Sequence, residues 1–304
     1  MNTLKLELTV VVFCLAVATF SAQTIKIKKQ SEIQLKTQAF YPTFNSDGDK
    51  LLFSAESYKG LCMYDFNTKQ VKEISHTQNA GYYPVFGDDD TKIFYRNTNF
   101  ENRIRYDALE SFDLATNRSV QMLPMQRNMR QAQSYHNGVL VLTGKYLVKS
   151  TFGKTTKTLP VYASSEDLNI YVYRNGEKKQ LRPLSGDNSY IWVSLSPDNK
   201  KILFTAVGKG TCICDLNGNI IAKLGYLNAP VWYNDDFVVG MQDKDNGQFI
   251  VSSSILIKSI DGKTTKQISP TSQIAMYPTA SSKGGKIAYN TAKGKLILTE
   301  IEIR

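Results

Sequence analysis

A thirteen-residue phrase that recurs along the chain constrains its fold more than any other feature. The phrase occupies residues 41–53, 83–95, 192–204 and 277–289, without a gap in any copy. Each copy begins with an aromatic residue and reads as a strand, a tight polar turn, and a second strand. Residues 196–199 show the turn chemistry, since proline presets the backbone angle φ and Asp and Asn tolerate the positions that follow. The phrase therefore indicates a chain built from repeated β units.

Two further predicted strands follow most copies of the phrase, so the unit has four short antiparallel strands. Four such strands are typical of one blade of a β-propeller. The 304-residue chain shows no linker between two halves and no long helical periodicity. We therefore predict an all-β fold in which residues 23–304 form a single six-bladed propeller. The blades are expected at residues 39–75, 80–123, 131–184, 189–225, 226–269, and 274–303 together with 24–36.

The third of these units diverges most from the repeat. His136-Asn137-Gly138 replaces its turn, and a long insertion, residues 145–167, precedes the next strand of the pattern. Its residues 151–158 are rich in Lys, Thr and Gly and have little to bury, so we expect low local stability there and an insertion that protrudes from blade three as an extended hairpin.

Ring closure is predicted from the last unit, which has three strands before Arg304. An unpaired strand edge is a liability that propellers remove by closing the ring. Residues 24–36 alternate apolar and polar side chains, with Ile25 and Ile27 or Ile33 and Leu35 facing inward. We expect this N-terminal strand to pair with residues 296–303 as the outer strand of the last blade.

Residues 1–22 have the pattern of a secretory signal peptide. Lys5 precedes an apolar run over residues 8–20, and small residues stand before Gln23. The run is shorter than a typical transmembrane helix, and no other segment is predicted to cross a bilayer. The pattern predicts a soluble protein of the periplasm, with an extracellular location as the alternative. We also expect the protein to be a monomer.

The formal net charge is +10 and the pI is about 9.2. In an exported protein this excess favours acidic partners such as anionic glycans, lipid headgroups or acidic protein surfaces, or it is simply a basic, soluble surface. The lysines are scattered through turns, and no basic run resembles a nucleic-acid-binding arm. We therefore expect no nucleic-acid partner.

Three cysteines follow the predicted signal peptide: Cys62, Cys212 and Cys214. The last two lie on one face of a strand, about 6.5–7 Å apart, which is at or beyond the limit for a disulfide. Cys62 and Cys212 occupy the same repeat position and should lie on different blades. We expect three free, buried thiols, and no metal site, since the chain has only two histidines and they are not clustered.

The repeated phrase, with Ser-Pro-Asp-Asn-Lys at residues 196–200, resembles the repeat of TolB-type β-propellers. The resemblance covers residues 39–303 and implies six blades and export to the periplasm. TolB carries an α/β domain before its propeller, whereas the first blade here is expected within twenty residues of Gln23. The resemblance thus implies TolB-like architecture without that domain. The same blade also occurs in peptidase propellers and pectate-degrading lyases.

Catalytic signatures of those relatives are missing from the sequence. There is no Gly-x-Ser-x-Gly elbow of an α/β-hydrolase, and His76 and His136 cannot form a histidine cluster. No phosphate-cradling loop leads into a helix. We expect no catalytic residues, no cofactor and no enzymatic activity.

An aromatic series stands near the start of the innermost strands: Tyr41, Tyr83, Trp192, Trp232 and Tyr277. These rings either surround one mouth of the central channel and bind a ligand, or wedge between neighbouring blades, where aromatic residues bury large areas. Their repetition favours the packing role. The leading functional hypothesis is a binding or scaffolding propeller that engages an envelope protein or peptide through a channel mouth. The alternative is a carbohydrate-active propeller, either a binder of acidic glycan or a lyase.

Overall fold

The computed structural model describes residues 23–87, 89–135, 138–144, 146–151 and 160–304. These residues form almost only strands, which in chain order are β1 (Ile25–Glu32), β2 (Phe40–Phe44), β3 (Lys50–Ser54), β4 (Leu61–Asp65), β5 (Gln70–Ser75), β6 (Val85–Phe86), β7 (Lys92–Glu101), β8 (Ile104–Asp113), β9 (Arg118–Gln126), β10 (Met129–Tyr135), β11 (Gly138–Thr143), β12 (Tyr146–Thr151), β13 (Tyr162–Glu166), β14 (Asn169–Arg174), β15 (Glu177–Leu181), β16 (Tyr190–Leu195), β17 (Lys201–Ala206), β18 (Gly210–Asp215), β19 (Ile220–Gly225), β20 (Asn228–Trp232), β21 (Phe237–Asp245), β22 (Ile250–Ser259), β23 (Thr265–Gln267), β24 (Ala275–Ser281), β25 (Lys286–Thr291) and β26 (Leu296–Ile303). A 3₁₀ turn, Glu56–Tyr58, is the only helical element of the described part. That part contains no helix with the length and apolar character needed to cross a bilayer.

The strands form seven antiparallel sheets, and each sheet is one blade of a β-propeller. Blades one, two, five and six have four strands in sequence order: β2–β5, β6–β9, β16–β19 and β20–β23. Blades three and four have three described strands each, β10–β12 and β13–β15. Blade seven contains β24, β25, β26 and, outermost, β1. The predicted all-β propeller is confirmed, but the predicted number of six blades is wrong.

The additional blade comes from residues 131–184, which the sequence assigned to one divergent repeat. β12 pairs with β11, with Tyr146 opposite Thr143, and β13 pairs with β14, with Glu166 opposite Asn169. The insertion at 145–167 is therefore not a protruding hairpin, because it supplies the last described strand of blade three and the first strand of blade four. Its residues 145 and 152–159 lie outside the described part.

The hydrophobic core is divided among clusters that join neighbouring blades. Leu52 of blade one and Ile93 of blade two are fully buried in one such cluster. Val172 of blade four and Phe204 of blade five share another. Each large apolar side chain buried in this way stabilises the ring by about 1.5–3 kcal/mol. Adjacent sheets thus hold one another in place around the axis.

The predicted ring closure is confirmed. β1 pairs antiparallel with β26, with Ile25 opposite Ile303, and the backbones of Thr24 and Arg304 exchange two hydrogen bonds of 2.8 and 3.0 Å. Ile25 is buried in the cluster of blades six and seven. Ile33, equally buried, packs on the core of blade one. The N-terminal segment therefore ties the last blade to the first.

The three cysteines of the described chain are free, as predicted. Cys62 lies opposite Phe53 and Cys212 opposite Phe204, so they occupy the same repeat position on different blades. Cys214 is fully buried, which raises the pKa of its thiol to about 12. Cys62 is only half-buried. The predicted signal peptide, residues 1–22, lies outside the described residues and stays a prediction.

Candidate functional site

A repeated backbone distortion marks the strands that surround the propeller axis. One residue of each of five blades has a positive φ, a conformation uncommon for bulky L-residues and costing about 1–2 kcal/mol. In β2, β16, β20 and β24 the strand register also shifts at this residue, which is the mark of a β-bulge. The residues are Tyr41 (55°), Tyr83 (52°), Trp192 (51°), Ala229 (42°) and Tyr277 (50°).

Four of these residues belong to the aromatic series, and the distortion brings their rings to one place. All five residues of the aromatic series, Trp232 included, line a single cavity of about 330 Å³. Blades one, two, three, five, six and seven contribute to its wall, so the cavity lies on the axis; we call it the axial cavity. Its described lining contains four prolines and no charged side chain. The site is suited to an apolar group.

Contacts among the rings add a residue that the sequence interpretation missed. Tyr58, in the 3₁₀ turn of blade one, stacks on Tyr41 with ring centroids 3.9 Å apart. Tyr41 also contacts Tyr277 of the neighbouring blade at 4.9 Å. Burial raises the pKa of Tyr58, and the nearby phenols of Tyr41 and Tyr277 raise it further. These hydroxyl groups are therefore neutral hydrogen-bond donors at physiological pH.

Trp232 differs from the other four residues. It ends β20 and packs against the hydrophobic cluster between blades five and six. Its Nε1 is a buried donor that has no hydrogen-bond partner among the described residues. Trp232 thus both packs between blades and lines the axial cavity, and Tyr41 and Tyr277 likewise touch across a blade boundary. The two roles considered from the sequence are not exclusive, and ligand binding at these residues stays a prediction.

A larger cavity, of about 760 Å³, adjoins the axial cavity and shares Tyr83, Gln131, Trp192 and Val193 with it. Five of the nine arginines of the chain line this space, with one aspartate among the other described lining residues. No described lysine lines it, although the chain has 28. We call it the arginine cavity. The arginines are Arg96, Arg103, Arg105, Arg127 and Arg130.

The floor of the arginine cavity is a buried ion pair on the β7–β8 hairpin. The Asp107 carboxylate accepts hydrogen bonds from Arg96 Nη1 at 2.5 Å, Thr98 Oγ1 at 2.6 Å and Arg105 Nε at 3.0 Å. Arg96 also donates to the carbonyl oxygens of Met129 and Arg130, at 3.1 Å each. Burial lowers the pKa of Arg96, and the charge of Asp107 opposes that shift. These bonds fix the guanidinium in one orientation.

Two cations at the rim of the cavity have no acidic partner among the described residues, and a third has an exposed one. Arg103, in the turn of the β7–β8 hairpin, and Arg127, between β9 and β10, are exposed and form no ion pair with any described residue. Arg130 lies 3.6 Å from the carboxylate of Asp167, a side chain that is 92% exposed. Such an exposed pair contributes little. The rim is therefore open to an external anion.

The sequence interpretation missed this cluster, because it treated the positive charge as scattered. The signal was the concentration of arginine, as opposed to lysine, between residues 96 and 130. These residues belong to two blades, and only the fold brings them together.

The remaining sequence candidates do not converge. His76 Nδ1 lies 2.6 Å from Glu73 Oε1 and is 85% exposed, and His136 is outside the described residues. The described part of the chain contains no group of three or more His, Cys, Asp or Glu side chains placed to hold a metal ion.

Neither a protein-family model nor a curated protein sequence matches this chain. Solved structures, however, do match this chain. The β-propeller domain of Cps50 (Swd1) from Myceliophteria thermophila is 10% identical, with a TM-score of 0.59, over 91% of this chain and 99% of that chain. The β-propeller domain of the Trilobed protease from Pyrococcus furiosus is 12% identical, with a TM-score of 0.57, over 88% and 98%. TolB from Acinetobacter baumannii is 17% identical, with a TM-score of 0.49, over 90% of this chain, which spans 57% of that chain. At these identities the likeness shows the β-propeller fold alone.

Proposed function

We propose that this chain is a non-enzymatic binding propeller that takes a peptide segment of an envelope protein into its axial cavity. The observation that carries the proposal is the convergence of six aromatic residues on one cavity whose described lining is uncharged. Buried aromatic anchors dominate the energetics of protein recognition. The repeated positive φ supports the same role, since backbone strain persists at sites where it positions functional groups. The location in the envelope rests on the predicted signal peptide.

Photo-crosslinking tests this proposal directly. A photoreactive phenylalanine analogue replaces Tyr83, which is 39% exposed, and the protein is irradiated in envelope extract. We expect one crosslinked partner, joined through a defined peptide that mass spectrometry maps. Trp192→Ala should abolish the crosslink, whereas Val120→Ala, an exposed apolar residue that does not line the axial cavity, should leave it unchanged. Crosslinks spread over many proteins, or unaffected by Trp192→Ala, would contradict the proposal.

A second candidate function, binding of an acidic glycan, is favoured by the arginine cavity. Guanidinium groups pair with carboxylates in a bidentate geometry. Calorimetric titration with tetragalacturonate tests it. Binding that Trp192→Ala abolishes, without a peptide crosslink at position 83, would favour this candidate over the first.

A further inference from the structure

We propose that the arginine cavity and the axial cavity form one bipartite site, and that it recognises a peptide in which acidic residues directly flank an aromatic residue. The inference rests on the proposed function, because it names the chemistry of the peptide that the axial cavity takes. The aromatic side chain would enter the axial cavity, and the neighbouring carboxylates would pair with the arginines.

The choice of cation is the first argument. Five arginines line one cavity of a chain whose other cations are mostly lysine. Arginine presents a rigid, planar fork that matches a carboxylate, whereas lysine is a hydrated point charge suited to general solubility. A basic surface that served solubility alone would use both residue types here. The concentration of arginine indicates recognition of a planar anion.

The charge balance of the cavity is the second argument. Asp107 is the only acidic residue of its described lining, and Arg96 and Arg105 already share that carboxylate. Arg103 and Arg127 are exposed at the rim and form no ion pair with a described residue, so the cavity carries an excess of positive charge. A bound anion would offset that charge.

Continuity of the two cavities distinguishes a peptide from an acidic glycan. Tyr83 and Trp192 line both spaces, so a ligand seated among the arginines can extend into the axial cavity. The described lining of the axial cavity is uncharged, and a carboxylate placed there would lose its hydration without gaining a partner. A polyuronate carries a carboxylate on every unit, whereas a peptide can place an aromatic residue beside acidic ones. The contrast between the two cavities therefore favours the peptide.

Fluorescence anisotropy with short labelled peptides tests the inference. The first probe contains Glu-Glu-Glu-Trp between Gly-Ser spacers, the second replaces each Glu by Gln, and the third replaces Trp by Ala. We expect the first probe to bind most tightly, and its affinity to fall steeply with ionic strength. Arg103→Gln together with Arg127→Gln should weaken that binding by about tenfold or more, the scale of one lost charge-assisted hydrogen bond. Both residues are exposed and unpaired within the described chain, so the variant should fold.

The matched control removes the same charge elsewhere. Arg118→Gln together with Arg174→Gln changes two exposed arginines that do not line the cavity, and should leave the affinity unchanged. Equal weakening by both double variants would show a general charge effect and overturn the inference.

The Trp192→Ala variant separates failure of the inference alone from failure of the proposed function as well. If Trp192→Ala abolishes binding of the first probe and the Arg103 and Arg127 substitutions do not affect it, the inference fails and the proposed function stands. If the arginine substitutions matter and Trp192→Ala does not, the site is not bipartite and both fail. Displacement of the probe by tetragalacturonate at equal or lower concentration would indicate that the arginine cavity binds an acidic glycan. The proposal of a peptide ligand would then be wrong.

Discussion

The residues with a positive φ that line the axial cavity should tolerate glycine better than alanine, which is the reverse of the usual order of stability in a strand. At an ordinary strand position glycine is less stable than alanine by about 0.5–1 kcal/mol, because it loses more conformational freedom on folding. Tyr83 has a φ of 52°, which glycine adopts without strain. We therefore expect Tyr83→Gly to be more stable than Tyr83→Ala.

The magnitude follows from comparing two variants that lack the same ring. The burial lost with the phenol is common to both and cancels to within one methyl group. The left-handed conformation costs an alanine about 1–2 kcal/mol, and the entropy disadvantage of glycine offsets about half of that. The net preference for glycine is roughly 0.5–1 kcal/mol. For a protein of this size it corresponds to a rise in melting temperature of about 1–4 °C.

Thermal unfolding followed by circular dichroism measures the difference, and a neighbouring residue supplies the control. Val85 is half-buried in β6 and has no positive φ, so Val85→Gly should be less stable than Val85→Ala. If Tyr83→Ala equalled or exceeded Tyr83→Gly in stability while Val85 kept the ordinary order, the strain argument would be refuted. Both Tyr83 variants should lose ligand binding equally, since both lack the ring.

Four other measurements test the closure, the arginine cavity floor, the thiols and the phenols. Ile25→Ala should lower the free energy of unfolding by about 2–5 kcal/mol in urea, because it empties a buried position of the closing strand; a loss below about 0.5 kcal/mol would refute a closing role. Asp107→Ala should cost about 3–5 kcal/mol, since it leaves the buried Arg96 guanidinium uncompensated, and unchanged stability would mean that the ion pair is not needed. Maleimide at pH 8 should label Cys214 only after denaturation, as burial raises its thiol pKa to about 12, and rapid labelling of the native protein would contradict this. Burial also raises the pKa of Tyr95 to about 12, so the neutral phenol stabilises the fold fully below pH 10.0 and this contribution is lost as the pH rises through about 12; tyrosinate absorbance of this residue at pH 10.0 in the native state would show otherwise.

Local chemistry made much of the architecture predictable. The apolar–polar alternation within strands and the turn residues at 45–49 and 196–199 depend on a few neighbouring residues, so both can be recognised in the sequence itself. Ring closure was predictable because an unpaired strand edge has few remedies, and Ile25 and Ile33 belonged to the one unassigned strand. The free cysteines followed from repeat position. The aromatic series was recognised for the same reason, although the choice between packing and channel lining was not.

Other features depended on the tertiary structure. β13 lacks the repeated phrase, and its short run of small residues has no periodic signal, so a separate blade was not visible in residues 131–184. Tyr58 enters the axial cavity from a turn outside the phrase. The arginine cavity combines Arg96 and Arg103 of blade two with Arg130 of blade three. By itself the sequence determined the blade, whose strands and turns depend on near neighbours. The number of blades and the position of the charged groups depend on how blades pack around the axis, and residues far apart in the chain decide that packing.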